Sequence, residues 1–398
     1  MSLNSTPNAE RVHITFYGQR NAGKSSVVNA VTGQQLSITS DVKGTTTDPV
    51  HKAMELLPVG PVVITDTPGL DDEGELGLQR IKRALQTLDK TDVAVLVADA
   101  SRGLQAGDQR LIALFQEKKI PYLTAYNKID LLDKAPELGE GEICVSALEG
   151  TNITELKDRI AALAGTTVQE KHLVADLLNP GDLVVLVTPI DASAPRGRMI
   201  LPQQQTIRDI LDGGAMCVVC KETELAETLT KFKDKPAMVI TDSKVFGMVD
   251  KLVSQDILLT SFSILFARYK GDLETVVRGA FQLDRLQDGD KMLISEGCTH
   301  HRQCGDIGTE KLPAWIRKYT GKQLEFSFTS GGEFPEDVRD YALVVHCGGC
   351  MLNEKEMKSR ILRAREQKVP ITNYGVAIAH LHGMLKRSVS PFPQLLNE

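Results

Sequence analysis

Gly18-Gln19-Arg20-Asn21-Ala22-Gly23-Lys24-Ser25 matches G-x-x-x-x-G-K-[ST] and lies between an apolar, strand-like run at 13–17 and a helix-forming stretch. That context predicts a phosphate-binding loop. Gly18 and Gly23 let backbone N–H groups close around a β-phosphate at a helix N-terminus. Lys24 adds a point charge for the β- and γ-phosphates. The Ser25 hydroxyl can ligate Mg²⁺, and Ser26 beside it belongs with the nucleotide-binding residues.

Working outward, the run 62–66 ends in Asp66-Thr67-Pro68-Gly69, which places a carboxylate toward Mg²⁺ and a glycine N–H toward the γ-phosphate. Asn127-Lys128-Ile129-Asp130 follows the run 122–126. The Asp130 carboxylate can accept from both guanine N1–H and the 2-amino group. Adenine has a donor at neither position, so this residue selects GTP over ATP. Ser146-Ala147-Leu148 follows the run 143–145 and fits a loop that backs the base. Four motifs in order, each at a strand end, predict a GTP site. With a further strand at 93–99 and a closing helix at 153–164, residues 8–168 read as a doubly wound α/β GTP-binding domain.

The 398 residues suggest two or three domains. A net charge of −6 and a pI near 5.8 argue against a general nucleic-acid binder. No apolar run approaches the roughly 20 residues that span a bilayer. The N-terminal stretch lacks a basic and an apolar region, so the expected location is the cytoplasm. There, the seven cysteines read as metal ligands more readily than as disulfides.

Past the GTP-binding domain the alternation restarts. Over 173–270, strands are expected at 183–188, 216–220, 237–241 and 257–261, with helices at 203–211, 222–233 and 244–252. No catalytic constellation stands out there, and the stretch reads as a small α/β module for packing or dimerisation. Over 271–398, a helix at 273–282 and a strand at 291–295 precede Cys298-Thr299-His300. A strand at 342–345 leads into His346-Cys347-Gly348-Gly349-Cys350, followed by a helix at 353–366, a strand at 370–373 and a helix at 376–385.

Both cysteine groups follow strands, so they can converge in the crevice at the carboxyl edge of a parallel sheet. Gly348 and Gly349 let Cys347 and Cys350 reach one centre, and thiolates near a helix N-terminus ionise readily. Three cysteines with nearby histidines fit either a closed Cys₃His zinc site or a [4Fe–4S] cluster with one adaptable corner. His300 and His346 are candidate fourth ligands, with His301, Cys304 and Asp306 as competitors. Cys217 and Cys220 face opposite sides of a strand and read as core residues, and Cys144 as packing. His380 and His382 do not share a helix face and read as packing or solvated. The basic stretch 355–365 reads as a solvated helix face.

The nucleotide motifs resemble the Era/TrmE-like branch of the translation-factor-related GTPases. Gly44-Thr45-Thr46-Thr47-Asp48 sits where that branch carries Gly-Thr-Thr-Arg-Asp. The resemblance implies that Thr46 closes on Mg²⁺ and the γ-phosphate, and that Asn21 holds K⁺; Thr47 departs from the pattern. Leu70 stands where Ras-like proteins carry a water-orienting glutamine, so unassisted turnover should be slow, about 10⁻⁴ to 10⁻² s⁻¹.

Such a GTPase followed by a middle module and then Cys-x-His…His-Cys-x-x-Cys resembles, over the whole chain, the [FeFe]-hydrogenase maturation GTPases of the HydF family. The resemblance implies a homodimer formed through the middle domain and a [4Fe–4S] cluster on Cys298, Cys347 and Cys350. It also implies a scaffold role for a transient two-iron subcluster precursor, with radical-SAM maturases and apo-[FeFe]-hydrogenase as partners, and neither nucleic acid nor membrane. The rival reading is an RNA-modification or ribosome-assembly GTPase of the same branch with a structural zinc module. A weaker third, the G domain of a membrane iron transporter, is opposed by the lack of spanning segments.

Overall fold

The computed structural model describes residues 8–33, 49–69, 86–134, 136–167, 171–190, 199–297 and 306–396. The chain divides into two compact units, 1–170 and 171–398. The first holds a six-stranded sheet of β1 (Val12–Tyr17), β2 (Val50–Leu56), β3 (Gly60–Asp66), β4 (Val93–Asp99), β5 (Tyr122–Asn127) and β6 (Glu142–Cys144), in the order β2-β3-β1-β4-β5-β6. Every pairing is parallel except β2 with β3. The central strands are continuous apolar runs because helices cover both faces. These helices include α1 (Lys24–Thr32), α2 (Ala106–Glu117) and α3 (Ile153–Thr167). Gly33, at φ +66°, ends α1 and donates its N–H to Asn29 O.

The antiparallel edge strand β2 was not expected. Its exposure alternates along its length, with His51, Ala53 and Glu55 outward. Only half of its residues therefore carry an apolar signal.

The second unit contains two four-stranded parallel sheets. The first is built from β7 (Leu183–Val187), β8 (Met216–Cys220), β9 (Met238–Thr241) and β10 (Leu258–Ser261), in the order β10-β9-β7-β8. The other is built from β11 (Lys291–Ser295), β12 (Glu325–Thr329), β13 (Leu343–His346) and β14 (Ile371–Asn373), in the order β12-β11-β13-β14. Helices α4 (Leu201–Asp212), α5 (Leu225–Thr230), α6 (Phe246–Leu252), α7 (Phe262–Lys270), α8 (Leu273–Ala280), α9 (Leu312–Thr320), α10 (Glu354–Glu366), α11 (Tyr374–Leu381) and α12 (Leu385–Ser388) connect and cover them. One core runs through both sheets. Val184 and Ile240 of one sheet and Leu293 and Val344 of the other pack with Phe262, Phe266, Val277 and Ile361.

The sequence reading missed α7, α9 and β12, and the single helix expected at 376–385 is two, α11 and α12, with Gly383 between them at φ +70°. Strand β8 is an edge rather than a buried strand, with Met216 and Val219 exposed. Cys217 packs against the shared core while Cys220 faces a separate cluster with Val185 and Leu225, so the two do face opposite ways. Cys144 is buried. Among the described residues no helix is long and apolar enough to cross a membrane.

Candidate functional site

The phosphate loop is shaped by two close approaches. A Cβ on Gly18 would stand 2.3 Å from the Val97 carbonyl oxygen, so the loop crosses β4 where no side chain fits. Gly23, at φ +81°, precedes α1, and a Cβ there would meet Asn127 Nδ2 at 2.2 Å. Lys24 is buried with Nζ 3.8 Å from Asp66 Oδ1, and the Ser25 hydroxyl donates to Asp66 Oδ2 at 2.6 Å. The hydroxyl and carboxylate expected on Mg²⁺ thus stand together, a hard oxygen pair suited to that ion. Thr67 Oγ1 donates to Phe16 O at 2.7 Å and holds the segment 66–69 beside β1. A Cβ on Gly69 would lie 3.2 Å from Arg20 Cα, so this segment lies against the phosphate loop. Asn21 adopts φ +62° in the same loop. Thr46 and Leu70 lie outside the described residues.

The base side is braced by Asn127. It is buried, donates from Nδ2 to Ala22 O at 3.1 Å and accepts from Ala147 N at 3.0 Å, tying the phosphate loop to the base-backing loop. Lys128, at φ +70°, pairs with Asp99 at 2.6 Å. Burial alone would raise the Asp99 carboxyl, but Lys128 and Ser101 hold it below the usual carboxylate range. Ser146 Oγ donates to Asp130 Oδ1 at 2.5 Å, which fixes the carboxylate expected to select guanine. Asp99 escaped the sequence reading; its position at the end of β4, in line with the motif-bearing ends of β3 and β5, was the available signal.

Asp130→Asn is expected to weaken GTP binding about 100-fold, because one of two acceptors becomes a donor opposed to the donors of guanine. Xanthosine triphosphate, with a carbonyl at that position, should bind the variant better than GTP does. Titration calorimetry with both nucleotides checks the reversal.

The cysteine loop leaves the carboxyl edge of the second unit's β11–β13 pair. Ser295 pairs with His346 in register, and Cys347 N donates to Ser295 O at 2.8 Å. Cys347 Sγ accepts from Gly297 N at 3.0 Å and Gly349 N at 3.4 Å. Gly349, at φ +62°, sits where a Cβ would meet Met357 Sδ at 2.6 Å. Burial pushes the Cys347 thiol up more than these two amides pull it down, so without a metal it sits above its ordinary range, not below it as its place ahead of a helix suggested. A half-buried sulfur facing amide donors, with exposed Cys350 three residues on, fits a thiolate ligand of a soft metal or iron–sulfur cluster. Cys298, His300, His301 and Cys304 lie outside the described residues. Among the described residues no three His, Cys, Asp or Glu side chains gather into a metal site.

The fourth-ligand candidate His346 ends β13, directly before Cys347. The ring is buried, Nδ1 is 2.8 Å from Cys347 O, and Nε2 is 2.9 Å from Arg360 Nη1. Both nitrogens are engaged, one as donor to a carbonyl and one as acceptor from a guanidinium. Burial first, and the Arg360 charge second, push its pKa down to about 3, so the ring is neutral. Asp306 is a helix cap, accepting from Thr309 N at 2.8 Å and Thr309 Oγ1 at 2.9 Å.

The stretch 355–365 is not wholly a solvated face either. Arg360 is 3% exposed and donates to Glu356 Oε1 at 2.6 Å and Gly331 O at 2.7 Å. Glu296, buried at the end of β11, accepts from the Tyr374 hydroxyl at 3.3 Å and was not foreseen. His380 packs on Phe281 and Tyr319 and contacts Asp284 at 3.0 Å.

Family models match three stretches of the chain: a 50S ribosome-binding GTPase over 13–128, a hydrogen maturase F dimerization domain over 173–271 and a hydrogen maturase F tetramerization domain over 274–391. The last two together span more than half of the chain. Among curated relatives, the tRNA modification GTPase MnmE of Bordetella petrii is 34% identical over 157 residues, covering 39% of this chain and 34% of the relative. GTPase Der of Kosmotoga olearia is 30% identical over 174 residues, covering 39% of each. The chain thus spans well under half the length of these relatives. The structure of Aquifex aeolicus Era bound to GDP·AlF₄⁻ is 18% identical, covering 80% of this chain and 93% of that one, with a TM-score of 0.35.

Proposed function

The chain belongs to the hydrogen maturase F family, and on that premise we propose that it is a GTP-hydrolysing, cluster-binding scaffold that assembles or delivers the two-iron subcluster precursor of [FeFe]-hydrogenase. One juxtaposition carries the reading. The same polypeptide has a GTPase domain with Ser25 and Asp66 paired for Mg²⁺, and a cysteine loop whose Cys347 sulfur is cradled by backbone amides.

In the nucleotide site, Lys24 and the loop amides would bind the β- and γ-phosphates, Ser25 and Asp66 with Thr46 would hold Mg²⁺, and Asp130 would choose guanine. Mg²⁺, when bound, supplies charge neutralisation at the transferred phosphoryl group. Asn21 would hold K⁺. Leu70, where Ras-like proteins carry a water-orienting glutamine, fits a timer better than a rapid catalyst. GTP binding and hydrolysis would bias the engagement of partners, with radical-SAM maturases upstream and apo-[FeFe]-hydrogenase as client.

Cys298, Cys347 and Cys350 would hold a [4Fe–4S] cluster. With His346 engaged elsewhere, the fourth corner would be exchangeable, which suits a site that receives and releases a second metal group. Homodimerisation would use the exposed edge strand β8, where Met216 and Val219 leave apolar surface beside unpaired backbone groups.

Anaerobic reconstitution with iron and sulfide tests the cluster. The chain is expected to turn brown, with broad absorbance near ~400 nm, and Cys347→Ser to lose the colour. A colourless chain that keeps one tightly held zinc would favour the structural-zinc reading instead.

A further inference from the structure

We propose that Lys270, the last residue of α7, is a positioning residue that holds the cysteine loop in its ligand-ready shape, an inference that rests on reading that loop as a soft-metal site. The lysine belongs to the segment matched by the dimerization model, not to the segment that carries the cysteines. Its side chain is 3% exposed, and Nζ donates to the carbonyl oxygens of Cys350 (3.3 Å) and Leu352 (3.2 Å).

The placement follows from how α7 is anchored. Ser261 caps its N-terminus by accepting from Ile264 N, and Phe262, Ile264, Leu265 and Phe266 bury its apolar side. At its C-terminus, a Cβ on Gly271 would come within 3.0 Å of Ile361 Cδ1, so the chain passes tightly against α10. A buried ammonium is costly without acceptors. Here the acceptors are peptide carbonyls of the loop that precedes α10.

The consequence lies in the direction of the loop's peptide groups. At its start, His346 Nδ1 takes the Cys347 carbonyl, and at its end Lys270 takes those of Cys350 and Leu352. These bonds pin the loop at both ends; between them the Gly349 N–H faces Cys347 Sγ, as does the Gly297 N–H from beyond β11. The ammonium also adds positive charge near a site whose ligands are thiolates. It therefore both shapes the loop and favours the more negative, reduced state of a group held there.

The test uses the full-length chain. In metal-free protein, iodoacetamide labelling of Cys347 and Cys350 is followed peptide by peptide by mass spectrometry. With rates corrected to the thiolate form from their pH profiles, Lys270→Met is expected to speed Cys347 labelling about tenfold, and Lys270→Gln, which keeps one donor group, by less. Equal Cys347 rates in wild type and Lys270→Met overturn the proposal. Retained GTP turnover and an unchanged Trp315 fluorescence melt separate a loosened loop from a misfolded chain. If Lys270→Met does not fold, Lys270→Gln decides by the same labelling ratio.

After reconstitution with iron and sulfide, Lys270→Met should shift the midpoint potential to more negative values and lose iron faster to a chelator. An unchanged potential removes the electrostatic half of the proposal. A wild-type chain that takes up no iron refutes the cluster reading, while the labelling ratio still decides the role of Lys270.

Discussion

Lys24→Ala is expected to lower GTP turnover about 10²–10³-fold, the range seen when one preorganised electrostatic group is removed from a transition state. Lys24 is well placed for that role because it is already buried and held at the head of α1. Its ammonium lies 3.8 Å from Asp66 Oδ1, too far for a strong hydrogen bond to that carboxylate. The Ser25–Asp66 contact at 2.6 Å is made through the other carboxylate oxygen, Oδ2, so the Mg²⁺ ligands should survive the substitution. Phosphate release under saturating GTP measures the loss. The chain's single tryptophan, Trp315, lies in the second unit, so its fluorescence melt should not move. A variant that keeps a tenth of wild-type turnover would remove Lys24 from the phosphate-binding role.

The contrast between the two sites explains what could be read in advance. The nucleotide site is local in sequence: each motif sits at one strand end, and the strands β1, β3, β4 and β5 are apolar enough to be read directly. Most residues that orient it also lie within the motifs, as with Asn127 bracing Ala22 and Ala147; Asp99, paired with Lys128 from the end of β4, is the exception. The cysteine site is different. Its ligand types and spacing were legible, but its supports come from elsewhere in the chain. Lys270 ends a helix some eighty residues earlier.

Arg360 shows a signal that was present and outweighed. Glu356, Met357, Arg360, Ile361 and Ala364 fall at helical spacing and are all buried, so the period of the helix placed Glu356 and Arg360 on the inner face. The basic composition of the stretch suggested solvent instead. β2 and β12 were hidden for another reason: edge strands bury one face or less, and polar residues interrupt the apolar pattern.

Arg360→Ala is expected to destabilise the second unit by about 3–5 kcal/mol, the usual cost of removing one partner from a buried ion pair. Both side chains are buried, and they meet at 2.6 Å. Truncation would leave a buried carboxylate without its cation. It would also remove the donor to His346 Nε2 and to Gly331 O, and the contact with the Phe334 ring at 5.4 Å. Replacing both members, as in Arg360→Met with Glu356→Met, should cost much less, because no uncompensated charge remains.

Urea melts followed at Trp315 read this directly, since that residue lies in α9 of the same unit. The same variant also separates two roles for His346. If the histidine is a hydrogen-bond bridge, Arg360→Ala should loosen the Cys347 carbonyl and speed iron loss from reconstituted chain. If His346 were a metal ligand, freeing its Nε2 from Arg360 should tighten iron retention. The two outcomes have opposite sign, and the engaged ring nitrogens favour the first.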